Sequence, residues 1–271
     1  MNTVIEQTNF VQPTPLQRCT VYEAETFMEA VASACTPNNL QQYRRVDKRH
    51  YVDTRTGELK EYQKQERPPD DLSFYSRSFN ELRRIIFANF TGSSAECHVT
   101  LTVAPGLSAT LSDLQEYFRK FFKKFHYHYP ICEYLTIAEP HQNGRYHLHV
   151  LLLNTSGNSL CISNEKIQQW WRMGQTYICK VRKPEVMANY FCSVKKQRRW
   201  AEHYYPNHRL FRCSNGISRL QKRKMTRKEV SEYAEEKGFH FVSGRTYQIS
   251  QGDTEGGVQT VNVVTRERFR R

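Results

Sequence analysis

The stretch Ala138–Asn154, AEPHQNGRYHLHVLLLN, decides how the centre of this chain is organised. Its second half alternates, so that His147 and His149 share one face of a strand while Leu148, Val150 and Leu152 share the other. Asn143-Gly144 just before it are residues typical of a hairpin turn. The stretch therefore predicts a hairpin that presents two histidines from a strand whose other face joins the core.

The length of the turn determines whether Glu139 joins the two histidines. A two-residue Asn-Gly turn would place Glu139 opposite Leu148, on the wrong face. A three-residue loop over 142–144 pairs Glu139 with His147, and Gly144 suits the left-handed position that such a loop requires. Since a slip of one residue reverses every side chain, a metal site formed by Glu139, His147 and His149 predicts the three-residue loop.

Two histidines and a carboxylate suit a divalent ion that is held partly by water. Mixed nitrogen and oxygen ligands favour Mn²⁺, and Mg²⁺ is the abundant ion in cells. His141 falls on the same face, as a fourth ligand or as a DNA contact.

The composition indicates an acidic partner. The 271 residues include 40 lysines and arginines against 27 acidic residues, a formal net charge of +13 that fits binding to nucleic acid. Basic clusters interleaved with aromatic residues follow the hairpin, and they yield six candidate DNA contacts: Lys196, Arg198, Arg199, Lys222, Arg223 and Lys224.

Several protein classes are disfavoured. None of the eight cysteines forms Cys-x-x-Cys, which argues against a structural zinc protein and indicates reduced thiols. No apolar run reaches the length of a membrane span, and the N-terminal residues do not resemble a signal peptide. No Gly-x-x-x-x-Gly-Lys-[Ser/Thr] occurs, so the chain carries no P-loop helicase. We expect a cytoplasmic protein with no membrane partner.

The surrounding segments predict an α+β fold, a central antiparallel sheet with flanking helices. CHVTLTV (97–103) alternates as a half-buried strand, and residues 50–64 predict a hairpin around Thr56-Gly57. Helices are predicted from Ser78, from Ser112 with a Ser-x-x-Gln capping box, from Ser163, from Pro184 and from Thr226 with a Thr-x-x-Glu box.

The predicted organisation has four parts. Residues 1–40 are a weakly patterned extension with a candidate helix over 22–35, and 41–220 form the main domain. Residues 221–250 form a basic helix and strand that either read double-stranded DNA or serve as a capping or dimer helix. Residues 251–271 are polar and predict a flexible tail.

Three segments, HVTLTV (98–103), YHLHVLLLN (146–154) and ANYFCSVKK (188–196), resemble in their order the three motifs of HUH endonucleases, the rolling-circle replication initiators (Rep). Segments around them, among them TGELKEY (56–62) and WWRMG (170–174), are similar to the bacterial plasmid and phage replication-associated branch. The resemblance covers about residues 45–220 and implies a Rep-like fold, a divalent metal at the two histidines and a tyrosine nucleophile.

The resemblance implies that Tyr190 attacks single-stranded origin DNA, remains linked to the 5′ phosphate and releases a 3′ hydroxyl for a host polymerase. Tyr204 and Tyr205 are reserve candidates. The usual motif is Tyr-x-x-Lys, but Ser193 occupies the lysine position here. Either the helix ends near Ser193 and Lys195 folds back to assist Tyr190, or another cation serves.

Three functions remain open at this point. The first is a nicking and joining replication initiator that depends on a host helicase for unwinding. The second is a relaxase or single-strand transposase of the same superfamily. The third is a non-catalytic DNA-binding regulator on this fold, for which the displaced lysine is the best support.

Overall fold

The computed structural model describes residues 3–35, 43–47, 49–54, 56–61, 73–203, 209–252 and 258–271. The chain divides into two compact units: Met1–Arg67 together with Leu220–Arg271, and Pro68–Arg219. In chain order, the elements up to the candidate hairpin are β1 (Thr3–Thr8), β2 (Arg18–Glu23), β3 (Phe27–Cys35), β4 (Tyr43–Arg45), β5 (His50–Asp53), β6 (Leu59–Glu61), α1 (Ser73–Asn89), β7 (Glu96–Leu101), α2 (Leu111–His128), β8 (Cys132–Pro140) and β9 (Tyr146–Asn154). The remaining elements are α3 (Asn164–Trp171), β10 (Thr176–Lys180), α4 (Pro184–Phe191), α5 (Val194–Glu202), β11 (Phe211–Cys213), β12 (Gln221–Thr226), α6 (Arg227–Glu236), β13 (His240–Gly252) and β14 (Val258–Arg270).

The unit Pro68–Arg219 contains a five-stranded sheet in the order β10-β7-β9-β8-β11. Every neighbouring pair is antiparallel, and helices α1 to α5 belong to the same unit. The alternation in β7 buries Cys97, Val99 and Leu101, as the sequence predicts. The predicted α+β class, with an antiparallel sheet and flanking helices, is confirmed.

Most helix predictions in this unit hold, with shifted ends. Ser163 caps α3, and Pro184 lies in the first turn of α4. The cap of α2 is Thr110 with Asp113, instead of the predicted Ser112 box, since the two side chains bond each other's backbone amides. Helix α1 begins at Ser73, one turn before the predicted cap at Ser78.

The other unit contains a six-stranded sheet, β1-β13-β14-β3-β2-β12, and a three-stranded sheet, β4-β5-β6. The predicted hairpin around Thr56-Gly57 is confirmed, with Gly57 at φ +73° between β5 and β6. The capping box of α6 at Thr226 and Glu229 is also confirmed.

Two predictions for this unit are wrong. The candidate helix over 22–35 is instead a pair of antiparallel strands, because Met28, Ala30 and Ala32 alternate onto one buried face. The predicted tail over 251–271 contains the long strand β14, paired with both β13 and β3. Its polar character reflects buried ion pairs, since Glu267 is 1% exposed and pairs with Arg227.

In the described part of the chain, none of the helices is both long enough and apolar enough to cross a membrane.

Candidate active site

The hairpin β8–β9 has the register that the metal hypothesis requires. Glu139 pairs with His147 across the two strands, and the amide of His141 donates to the carbonyl of Arg145 at 2.7 Å. Gly144 has φ +77°, the left-handed conformation expected of the third loop residue. The predicted three-residue loop is therefore confirmed, and Glu139 lies on the histidine face.

Glu139, His147 and His149 bring three ligand atoms together in the interior. Nε2 of His149 lies 3.1 Å from Oε2 of Glu139 and 3.1 Å from Nε2 of His147, while Nε2 of His147 lies 3.8 Å from Oε2. Ligand atoms about 2.1 Å from a shared ion lie about 3.0–3.4 Å apart at octahedral or tetrahedral angles. Two of the three separations fall in that range, so the cluster can bind a metal ion.

The two oxygens of Glu139 have different partners. Oε2 faces the histidines, whereas Oε1 accepts a hydrogen bond from the ammonium of Lys196 and lies 3.4 Å from Nη1 of Arg199. Burial alone would raise the pKa of Glu139, but hydrogen bonds from His149 and Lys196 outweigh it and lower that pKa to about 2. The carboxylate is therefore charged, as a metal ligand must be.

A second histidine layer lies behind His149. Nδ1 of His149 lies 3.0 Å from Nε2 of His98 and 3.3 Å from Oγ1 of Thr100, both on the neighbouring strand β7. Nδ1 of His98 is 3.7 Å from Sγ of Cys179. A ligating histidine is usually oriented by a hydrogen bond at its other ring nitrogen, and His98 is placed to accept that bond.

Burial keeps both inner histidines neutral. Burial, reinforced by the neighbouring His149, lowers the pKa of His98 to about 3 and that of His147 to about 3. A neutral imidazole is the form that binds a metal ion. The sequence places His98 and Thr100 on the polar face of β7, and only the pairing of Thr100 with His149 across the sheet identifies them as neighbours of the site.

A break between α4 and α5 positions the candidate nucleophile. Helix α4 ends at Phe191, and Ser193 adopts an extended conformation (φ −65°, ψ 151°) before α5 begins. Tyr190 is 51% exposed on the last turn of α4, and its ring packs edge-on against that of His149 at 6.4 Å. The break changes the direction of the chain, so the residues after it approach Tyr190 with a new helical phase.

Helix α5 turns one face toward the site. Lys196, Arg199 and Trp200 lie three and four positions apart, on the same side of the helix. The ammonium of Lys196 lies 2.8 Å from the phenol oxygen of Tyr190 and also contacts Glu139, and the indole of Trp200 donates to the carbonyl of Ala138 at 2.7 Å. Trp200 therefore holds α5 against β8, next to the metal ligand.

The structure brings together only some of the predicted site residues. Lys195 and Arg198 are exposed on the other side of α5, so the cation beside Tyr190 is Lys196 and not Lys195. The reason is the break at Ser193, after which Lys195 points away from the site. His141 lies outside the ligand cluster, although its ring is 4.4 Å from that of His147.

The remaining predicted residues lie elsewhere or outside the described residues. Lys222, Arg223 and Lys224 are exposed on β12, an edge strand that belongs to the other unit. Arg223 lies over the ring of Tyr233 and 3.8 Å from Glu23. Tyr204 and Tyr205 fall outside the described residues.

A cleft of about 640 Å³ opens beside His147. Its walls come from the hairpin loop, from Thr102 and Val103 after β7, and from Arg199. Arg145 fixes one wall, because its guanidinium donates to the carbonyls of Val103, Ala104 and Leu107 at 2.9–3.2 Å. The metal cluster therefore adjoins an open, polar cavity.

The comparisons with known proteins point to one family. No curated protein and no solved structure matches the chain significantly. The family model of the ORF2 type of replication-associated protein matches residues 96–198, less than half of the chain. Over that span, which holds the Glu139–His147–His149 cluster, Tyr190 and Lys196, the chain is similar to replication-associated proteins.

Proposed function

We propose that the chain is a replication initiator that nicks and rejoins single-stranded origin DNA through Tyr190. The observation that carries the proposal is Lys196, whose ammonium bridges the phenol oxygen of Tyr190 and the carboxylate of Glu139. This contact joins the candidate nucleophile to the candidate metal cluster. The match to replication-associated proteins and the formal charge of +13 support the same function.

Tyr190 needs help to act as a nucleophile, because an unperturbed phenol has a pKa near 10. The ammonium of Lys196 stabilises the phenolate as the phenolic proton leaves to solvent. The phenolate oxygen bonds to phosphorus, and the bond between phosphorus and the 3′ oxygen breaks. The 3′ oxygen takes a proton from solvent, which leaves a 5′-phosphotyrosine link and a free 3′ hydroxyl. The reverse attack by a 3′ hydroxyl rejoins the strand.

Glu139, His147 and His149 would hold the metal ion, with Mn²⁺ or Mg²⁺ as the proposed ion. A divalent ion bound there would polarise and orient the scissile phosphate. Lys196 and Arg199 occupy the other oxygen of Glu139, so they hold the carboxylate in one orientation. His98 does the same for the ring of His149.

The proposed partners follow from the chemistry. The 3′ hydroxyl would prime a host polymerase, and a host helicase would unwind the template, since the sequence contains no P-loop. Arg198 and the basic residues of β12 (Lys222, Arg223 and Lys224) are proposed DNA contacts. The proposed setting is the cytoplasm of a bacterial host.

Two alternatives keep parts of this reading. A relaxase or single-strand transposase would use the same chemistry on a transferred or mobile strand. A non-catalytic regulator is favoured by the missing lysine of the Tyr-x-x-Lys motif. Lys196 in contact with Tyr190 supports catalysis instead, since a DNA-binding regulator has no need of a cation on that phenol.

The test is cleavage of a single-stranded oligonucleotide pool with a randomised centre, labelled at the 5′ or the 3′ end, with Mn²⁺ present. Wild-type protein should form a covalent adduct that retains the 3′ label and should release a 5′-labelled fragment that a polymerase can extend. Tyr190→Phe and His147→Ala should both abolish the adduct. Exposed Val186→Ala on α4 is the matched control.

Other outcomes would contradict the proposal. An adduct that survives in Tyr190→Phe would move the nucleophile to another residue, with Tyr204 and Tyr205 tested next. Tight, salt-dependent binding of the pool without any cleavage would favour the regulator.

A further inference from the structure

We infer that the cleft beside His147 binds the nucleotide on the 5′ side of the scissile phosphate, and that the hairpin loop reads the base of that nucleotide. The inference rests on the proposed function and adds a substrate subsite to it. It assigns a role to Gln142 and Asn143, which no step of the proposed chemistry uses.

The nucleophile and the cleft lie at opposite ends of the histidine pair. Tyr190 and Phe191 pack against the ring of His149, at centroid distances of 6.4 Å and 5.0 Å. The cleft is lined by His147 and by residues nearer the hairpin tip, and neither His149 nor Tyr190 is among its walls. Along β9 the order is therefore nucleophile, metal ligands, cleft.

Phosphoryl transfer requires the attacking and leaving oxygens to lie roughly in line through phosphorus. A phosphate at the metal cluster is attacked from the His149 end, where Tyr190 lies. The leaving 3′ oxygen then points toward the His147 end, where the cleft opens. Because that oxygen belongs to the nucleotide on the 5′ side of the nick, this nucleotide enters the cleft.

The cleft has the size and charge to hold one nucleotide. Its volume of about 640 Å³ lies within the range of small-molecule sites, about 300–1,000 Å³. The lining residues include Arg145, Arg199, His141 and His147 and no carboxylate, which suits a phosphodiester strand.

The loop presents carboxamides suited to reading a base. Gln142 and Asn143 are exposed at the cleft, and no described residue forms a hydrogen bond with the Gln142 side chain. Oδ1 of Asn143 accepts from the amide of Arg145 at 3.2 Å, which leaves its amino group for a ligand. Carboxamides pair with base edges, and a good contact discriminates against the wrong base. The contacts of Arg145 keep the loop in place without a ligand.

The experiment sequences the covalent adducts formed from the randomised oligonucleotide pool, with the released 5′ fragments sequenced in parallel. Wild-type protein should show a base preference at the position 5′ of the nick. Gln142→Ala and Asn143→Ala should each reduce that preference at least about fivefold and leave the preferences 3′ of the nick unchanged. Asn158→Ala, in an exposed turn after β9, is the matched control and should retain every preference.

The outcomes separate the two proposals. Adducts whose 5′ preference is absent, or unchanged in both loop variants, would overturn the subsite and leave the nickase standing. A change confined to positions 3′ of the nick would place the leaving strand elsewhere and would also overturn it. If wild-type protein forms no Tyr190-dependent adduct, the proposed function fails, and the subsite fails with it. Equal thermal midpoints of the variants and the wild type would show that the loop variants are folded.

Discussion

Two buried histidines should make the unit Pro68–Arg219 lose stability in mild acid. Burial lowers the pKa of His98 and of His147 from 6.5 to about 3. Between these values the unfolded chain binds more protons than the folded one. The stability that the neutral rings contribute is therefore fully present above pH 6.5 and is lost progressively as the pH falls toward 3.

The size of the loss follows from proton linkage. Between pH 7 and pH 5, each histidine should lower the free energy of unfolding by about 2 kcal/mol, and the pair by about 4 kcal/mol. The result depends little on the folded-state pKa, because both rings are still neutral at pH 5 when that pKa is near 3. It depends chiefly on the unfolded value, which is well known.

Urea denaturation followed by tryptophan fluorescence is a suitable assay. All three tryptophans of the chain, Trp170, Trp171 and Trp200, belong to the unit Pro68–Arg219, so the signal reports on that unit. The protein is studied with a chelator, since a bound metal ion would itself oppose protonation of its ligands. The free energy of unfolding is measured at pH 7, 6 and 5.

A variant series tests the assignment. His98→Gln should reduce the loss between pH 7 and pH 5 by about 2 kcal/mol, because one of the two titrating rings is gone. His126→Gln, on the exposed face of α2, should leave the loss unchanged. A wild-type loss below about 1 kcal/mol, or an equal loss in His98→Gln and in the wild type, would refute the reasoning.

Three further predictions concern the site. Lys196→Met should slow formation of the Tyr190 adduct at least about 100-fold, whereas Lys195→Met should stay within about threefold; adduct rates on labelled oligonucleotides decide this. Mn²⁺ at about 100 times its dissociation constant should raise the free energy of unfolding by about 2.7 kcal/mol in the wild type and not in His147→Ala, as urea titrations with and without the ion will measure. Gly144→Ala should destabilise the protein by about 1–2 kcal/mol, because its φ of +77° is unfavourable for a residue with a Cβ while the nearest atom, in the His203 ring, is 3.7 Å away; an unchanged unfolding midpoint would contradict this.

The hairpin was predictable because its information is local. Alternation fixes which side chains share a face, and a glycine at the third loop position selects the turn that places Glu139 opposite His147. The ligand cluster follows from those two facts. A strand neighbour from elsewhere in the chain, such as His98, has no such local signal, because it depends on how β7 pairs with β9.

The lysine could not be assigned from sequence for a different reason. Nothing in Phe191-Cys192-Ser193 is a strong helix breaker, yet the chain adopts an extended residue at Ser193 and starts a new helix. Packing supplies the cause: Sγ of Cys192 contacts the carbonyl of Phe79 at 3.2 Å, and Trp200 is buried against β8. The break shifts the helical phase by enough to exchange Lys195 for Lys196.

The N-terminal and C-terminal strands were missed because their partners are distant in sequence. β3 pairs with β14, and the buried positions of β14 include Thr265 and Glu267 beside Phe269. Polar residues that are buried in pairs give no apolar alternation. Short-range patterns therefore indicated a tail where the structure has the centre of a sheet.

The interleaved order of the two units has a consequence for biosynthesis. Pro68–Arg219 is one continuous segment, whereas β1 must wait for β13, with Thr3 paired to Gln251 across almost the whole chain. The ribosome thus delivers the complete segment 68–219 while β1, β2 and β3 still lack β12, β13 and β14. Sheets closed by such remote pairings form slowly, and their unpaired edges invite aggregation. The N-terminal strands are therefore the part of a nascent chain that most needs chaperone protection, and truncation after residue 219 would leave them permanently without partners.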